Sequence, residues 1–118
     1  MKIIAVSYAQ PLADDLARLN LDLMVSAWYR SIFKTRLRCA KQSIDNFHTT
    51  RGGYRLATSV GGTLTGRGAD LIIIDDPIKA EDAMSSAVRD STKNWFRNTL
   101  RSRLNHKATR IIPPDDVP

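Results

Sequence analysis

One cysteine in 118 residues, Cys39, excludes an internal disulfide and suits a reducing compartment, with a small buried thiol as its default role. Histidine is nearly as scarce. His48 and His106 stand far apart with no second His or Cys beside either, which argues against a His/Cys metal site. No apolar run approaches the ~20 residues of a membrane span, and the opening segment has no signal-peptide pattern, so the expectation is a cytoplasmic protein without a membrane partner. Acidic residues are the minority charge: 12 Asp and Glu stand against 18 Lys and Arg, a net charge of +6 and a pI near 9.9. That balance favours a polyanionic partner, nucleic acid first, although an excess of this size is also common on a solvated surface. With 42% apolar and 25% charged residues, the chain is neither disordered nor fibrous in composition, and its length fits one domain around one core.

Against this plain background stands Ala69-Asp70-Leu71-Ile72-Ile73-Ile74-Asp75-Asp76-Pro77. Four consecutive aliphatic residues, three of them β-branched, read as a short strand buried on both faces, the kind a parallel sheet between helices requires. Two carboxylates then follow at its carboxyl end, where open α/β sheets bind ligands. This is the form of a Walker B strand, with Asp75 holding Mg²⁺ through the metal's water shell and Asp76 orienting or deprotonating an attacking water. An Asp-Asp-Pro after a strand is equally the chemistry of a simple turn, because Asp bonds its own backbone and Pro ends a ladder.

The chain opens on Met-Lys-Ile-Ile-Ala-Val-Ser-Tyr, a second β-leaning run, and a core strand at the first residue hints at a truncated start. Gln10-Pro11 starts a helix extending to about Phe33, with Asp14 and Asp15 in its first turn. Leu12, Leu16, Leu19 and Leu23 form one stripe along it, expected to pack against the sheet. Residues 34–43 carry four positive charges and no negative one, which reads as a phosphate-facing loop or an exposed connection. Arg51-Gly52-Gly53 between Ile44–Thr50 and Tyr54–Ser59 signals a hairpin.

Gly61-Gly62-Thr63-Leu64-Thr65-Gly66-Arg67-Gly68 imitates a phosphate loop without being one. Arg67 stands where the lysine belongs and Gly68 where the Ser or Thr belongs, and the segment runs into a strand instead of a helix. It is read as a flexible loop presenting Arg67 beside the nucleotide edge of the sheet. After Pro77, Ser85 or Ser86 caps a helix to about Asn105 with Val88, Phe96, Leu100 and Leu104 in one row. Arg89, Lys93, Arg97 and Arg101 form the next row, either a solvated face or a groove for DNA phosphates. A last strand over Ala108–Ile112 is stopped by Pro113-Pro114, leaving 113–118 as a divergent tail.

Taken in order, several of these pieces resemble the large terminase subunit of tailed bacteriophages, the ATP-driven motor that packages viral DNA. They are Val6-Ser7-Tyr8 with the Leu12-Ala13 helix, Thr49 to Tyr54, Gly61 to Gly68, Ala69 to Pro77, and Trp95 to Asn105. The resemblance covers residues 1–112 and implies a partial P-loop NTPase core: an α/β fold with a mostly parallel sheet flanked by helices and an inserted β-hairpin. It implies ATP and Mg²⁺ as cofactors of the parent protein, Asp75 as the Mg²⁺ carboxylate, Asp76 as the group that activates water, and Arg67 as a phosphate-contacting arginine, in some members toward a neighbouring subunit's ATP. The implied partners are double-stranded DNA, the small terminase subunit, the portal protein and other copies of the chain. Departures accompany it: many terminases have Glu where Asp76 stands, the Walker A loop would lie before Met1, and the rest of the ATPase and the nuclease after Ile112. The expectation is therefore a Walker B fragment, inactive alone, of an ATPase and endonuclease. The alternative is a prophage remnant without catalysis that serves as a small basic DNA- or partner-binding module.

Overall fold

A computed structural model describes residues 1–38, 43–62, 64, 68–75, 77–103 and 110–112. At its centre is β1 (Lys2–Ser7), which pairs in parallel with β3 (Tyr54–Ser59) on one side and β4 (Leu71–Ile74) on the other. β2 (Asn46–His48) runs antiparallel along β3, and β5 (Arg110–Ile112) runs parallel along β4. The five-stranded order is β2-β3-β1-β4-β5. The expected α/β class and mostly parallel sheet are present, with Ile3 opposite Leu71 and Val6 opposite Ile74.

The hairpin forms where Gly-Gly signalled it, with Gly52 at φ 86°, a conformation costly for any residue with a Cβ. It is not an insertion. Every residue of β3 pairs with β1, so the hairpin supplies two strands of the main sheet.

Alternation along the strands divides the core between two faces. On one, Ile4, Val6 and Ile72 meet Leu64 and Ala69 of the 60–70 connection and Leu100 of the C-terminal helical segment. On the other, Ala57 of β3 and Phe47 of β2 meet Ala13 and Ala17 of α1 (Gln10–Val25). The leucine stripe expected to make that contact does not make it. Leu12 and Leu16 are half-buried, while Leu19 and Leu23 are 67% and 49% exposed. The packing stripe is Ala13-Ala17-Leu21-Met24, roughly a third of a turn away. Alanine facing alanine lets the helix backbone approach the sheet closely, which leucine at those positions would prevent.

α1 also ends earlier than its apolar pattern suggests. Ser26 takes ψ 149°, its hydroxyl donates to the Leu23 carbonyl at 2.6 Å and accepts from the Tyr29 N–H, and a short second helix, α2 (Ala27–Ile32), begins there. With Gln10 as the first helical residue, the first turn holds no acid; Asp14 instead accepts from the Gln10 side chain at 2.9 Å. α1 lies over β1 and β3, which leaves Leu71 and Ile73 half-buried on its face of β4; on the other face Ile72 is fully buried and Ile74 half-buried, short of the two-sided burial read from the sequence.

Ser85 caps α3 (Ser86–Trp95), its hydroxyl accepting from the Val88 N–H. The segment continues as a π-helical turn, Phe96–Leu100, and a 3₁₀ turn, Arg101–Arg103. The wider turn lets Trp95, Phe96 and Leu100 all reach the core.

Candidate functional site

β4 delivers Asp75 to the carboxyl-terminal edge of the sheet. Its backbone N–H donates to the Val6 carbonyl at 2.8 Å, which prolongs the β1 pairing by one residue and fixes the backbone at Asp75. The carboxylate itself is exposed, with no ion pair or hydrogen bond among the described residues. Beside it, Ser7 ends β1 with its hydroxyl side chain buried.

This edge is where the winding of the sheet reverses. The chain leaves β1 through α1 toward β3 on one side, and leaves β4 through α3 toward β5 on the other, with the two helical segments on opposite faces. Such a reversal opens a crevice beyond the strand ends. A cavity of about 550 Å³ is found there, between Tyr8, Val60, Pro77, Ile78 and Val88. Lys79 lies at its rim in an ion pair with Glu81, whose hydrogen bond and charge raise the lysine pKa.

A free carboxylate at a strand end fits Mg²⁺, which is held by one or two protein carboxylates while water and phosphate oxygens fill the other positions. No group of three His, Cys, Asp or Glu side chains converges among the described residues, so they offer no all-protein cage. Asp76 lies outside the described residues, and so does Arg67.

The Gly-rich connection runs from the carboxyl edge at Val60 across the sheet to the amino edge. Gly62 fits tightly against the end of β3, where a Cβ would stand 2.3 Å from Thr58 Oγ1 and 2.9 Å from the Ser59 carbonyl. Its own carbonyl accepts from Trp95 Nε1 at 3.2 Å. Leu64 is buried, the Gly68 carbonyl accepts from the Tyr54 hydroxyl, and the Ala69 N–H donates to the Arg103 carbonyl at 2.7 Å. The described part of this connection is thus packed into the core. It enters a strand, so no helix-terminal amides stand at its end to hold phosphate.

Of the basic row, Lys93, Arg97 and Arg101 are exposed, whereas Arg89 is half-buried and donates to the Ala83 carbonyl at 2.7 Å. The π turn also changes the helical phase after Trp95, so the four do not form the straight row that i+4 spacing implies.

Sequence reasoning missed the opposite edge. A cavity of about 520 Å³ opens at the amino-terminal ends of β1 and β3, between α1, α2 and the segment after α2. Arg55 of β3 lies in its wall, and burial pushes its guanidinium pKa down. The available signal was parity: Arg55 shares a strand face with Ala57, the face that α1 covers. The basic segment after α2 is pinned to the sheet, the Arg38 N–H donating to the His48 carbonyl and the Thr50 N–H to the Arg36 carbonyl, each at 3.0 Å.

No family model matches the chain, and no match to it is found among curated proteins.

Proposed function

We propose that the chain is the Walker B part of the ATPase of a viral DNA packaging motor, a portion of a terminase large subunit. The observation that carries this reading is Asp75, an exposed carboxylate with no ion pair or hydrogen bond among the described residues, at the end of a sheet-interior strand on the edge where the winding reverses. In this reading Asp75 holds the water shell of Mg²⁺, and Asp76 positions and deprotonates the attacking water. Magnesium would supply neutralisation of charge on the phosphate oxygens. Gly68 and Asp75 lie at opposite edges of the sheet, separated by the length of β4, about 13 Å at ~3.3 Å per residue. In this reading Arg67 contacts nucleotide phosphate, in its own copy or in a neighbouring one. Lys93, Arg97 and Arg101 would face DNA phosphates.

The same reading requires a phosphate loop that this sequence lacks, because backbone amides and a lysine supply much of the nucleotide affinity in such sites. Alone, the 118 residues should therefore not turn over ATP. The test is to translate the flanking DNA in all frames, then assay hydrolysis by the protein extended through any upstream strand, Gly-rich loop and helix. Turnover that Asp76→Asn slows at the chemical step supports the reading. Turnover by the 118-residue chain itself, abolished by Asp76→Asn, would overturn the fragment claim, and flanking frames encoding neither a phosphate loop nor an acidic nuclease core would remove the motor.

A further inference from the structure

We propose that the cavity at the amino-terminal edge of the sheet binds a small phosphate ester carrying a flat ring, of about mononucleotide size. The inference does not rest on the ATPase reading, which concerns the other edge.

Its volume, about 520 Å³, falls within the range of small-molecule sites, roughly 300–1,000 Å³. Charge then selects the ligand. Lys34, Arg36, Arg51 and Arg55 all line the cavity, and among the described residues no Asp or Glu does. None of the four has an ion pair among the described residues. Arg36 is held in place by the carbonyls of Arg30, Phe33 and Thr35, at 3.0, 2.6 and 3.0 Å, neutral acceptors that leave its charge uncompensated.

Arg55 makes the strongest demand. Its Nη1 is buried without a hydrogen-bond partner among the described residues, although a guanidinium offers donors in a fixed fork that matches phosphate oxygens. Burial without an acceptor is costly, and an incoming anion would supply one. Four cations around one space call for a ligand bearing more than a single negative charge, as a phosphate monoester does. The rest of the wall suits a ring: Tyr29, Phe47 and Tyr54 contribute aromatic surface, and the Asn20 amide can both donate and accept at a heterocycle edge.

The experiment is a calorimetric titration of the 118-residue protein with AMP, ribose 5-phosphate and adenosine, in EDTA so that no Mg²⁺-dependent site contributes. The expected order is AMP tightest, ribose 5-phosphate weaker and adenosine without measurable binding. Arg55→Met should weaken AMP about tenfold or more, a loss of ~1.4 kcal/mol. Lys34→Gln with Arg51→Gln, both exposed and safe for folding, should weaken it by a similar factor. Arg18→Gln, at an exposed position of α1 that does not line the cavity, should leave AMP binding unchanged. The proposal is overturned if AMP shows no binding up to ~10 mM, if adenosine binds as well as AMP, or if the Lys34 and Arg51 changes have no effect. An Arg18→Gln loss equal to that of Arg55→Met would mean that net charge, and not the cavity, holds AMP. Duplex DNA displacing AMP at equal phosphate concentration would reassign the cavity to a nucleic-acid backbone. Either result would also overturn the proposal.

Discussion

The two edges of this sheet share the same strands and differ in almost every other respect. At the carboxyl edge, where the helical connections part to opposite faces, Asp75 presents a carboxylate with no partner among the described residues, and a crevice of about 550 Å³ opens between Tyr8, Val60 and Pro77. At the amino edge, four cations surround a cavity of similar size, about 520 Å³, with no acid among the described residues that line it. In the proposed ATPase reading the carboxyl edge needs a cation before it can accept phosphate, since a carboxylate repels phosphate. In the proposed mononucleotide site the amino edge needs none. If both proposals hold, one sheet offers two chemically opposite openings, and a Mg²⁺ requirement should separate them.

The most damaging change should be one that removes the support common to both edges. Leu100 is fully buried and joins the C-terminal helical segment to Ile4, Val6 and Ile72. Leu100→Ala should cost about 2–5 kcal/mol in chemical denaturation and disturb both openings together. A loss under ~1 kcal/mol would mean the segment is not packed on the sheet as described. Gly62→Ala tests the carboxyl edge more locally. Its Cβ would press on Thr58 Oγ1 and the Ser59 carbonyl, so a loss of about 1–3 kcal/mol is expected.

At the amino edge the sign should reverse. Arg55→Met removes a buried donor that has no acceptor while keeping much of the side-chain volume, so stability should hold or rise by up to ~1–3 kcal/mol. Measurable destabilisation would point to a partner for that guanidinium within the fold. Lys93→Gln, Arg97→Gln and Arg101→Gln should change stability by no more than ~0.5 kcal/mol. If those side chains meet DNA, the three changes should flatten the salt dependence of duplex binding. The smallest effect concerns Lys79, whose pKa Glu81 raises above the ordinary 10.5. Its contribution should be complete below that value and fade as pH rises through the shifted one. Glu81→Gln should flatten this slight decline in alkaline denaturation curves.

The strands were legible because their signals are local. Leu71–Ile74 has no polar residue to confuse the period, and Gly52-Gly53 marks a turn that few other pairs would make. The buried side of α1 was not legible, because hydrophobicity ranks leucine above alanine while close helix-to-sheet packing chose Ala13 and Ala17. Nor does any residue type announce the π turn at Phe96–Leu100, which arises from fitting Trp95, Phe96 and Leu100 into one core. For the site, Asp75 could be found from its position after a strand. Arg55 reads as one cation in a mixed strand, and only the three-dimensional convergence of Lys34, Arg36 and Arg51 beside it gives it meaning.

Asp75 carries the ATPase reading, and Mg²⁺-dependent ATP binding is its sharpest test. The measurement is equilibrium titration of the upstream-extended protein with ATP at varied Mg²⁺, comparing wild type with Asp75→Asn. The predicted result is binding that saturates with Mg²⁺ in the wild type and needs at least about tenfold more Mg²⁺ in the variant. Identical Mg²⁺ dependence in the two proteins would contradict it.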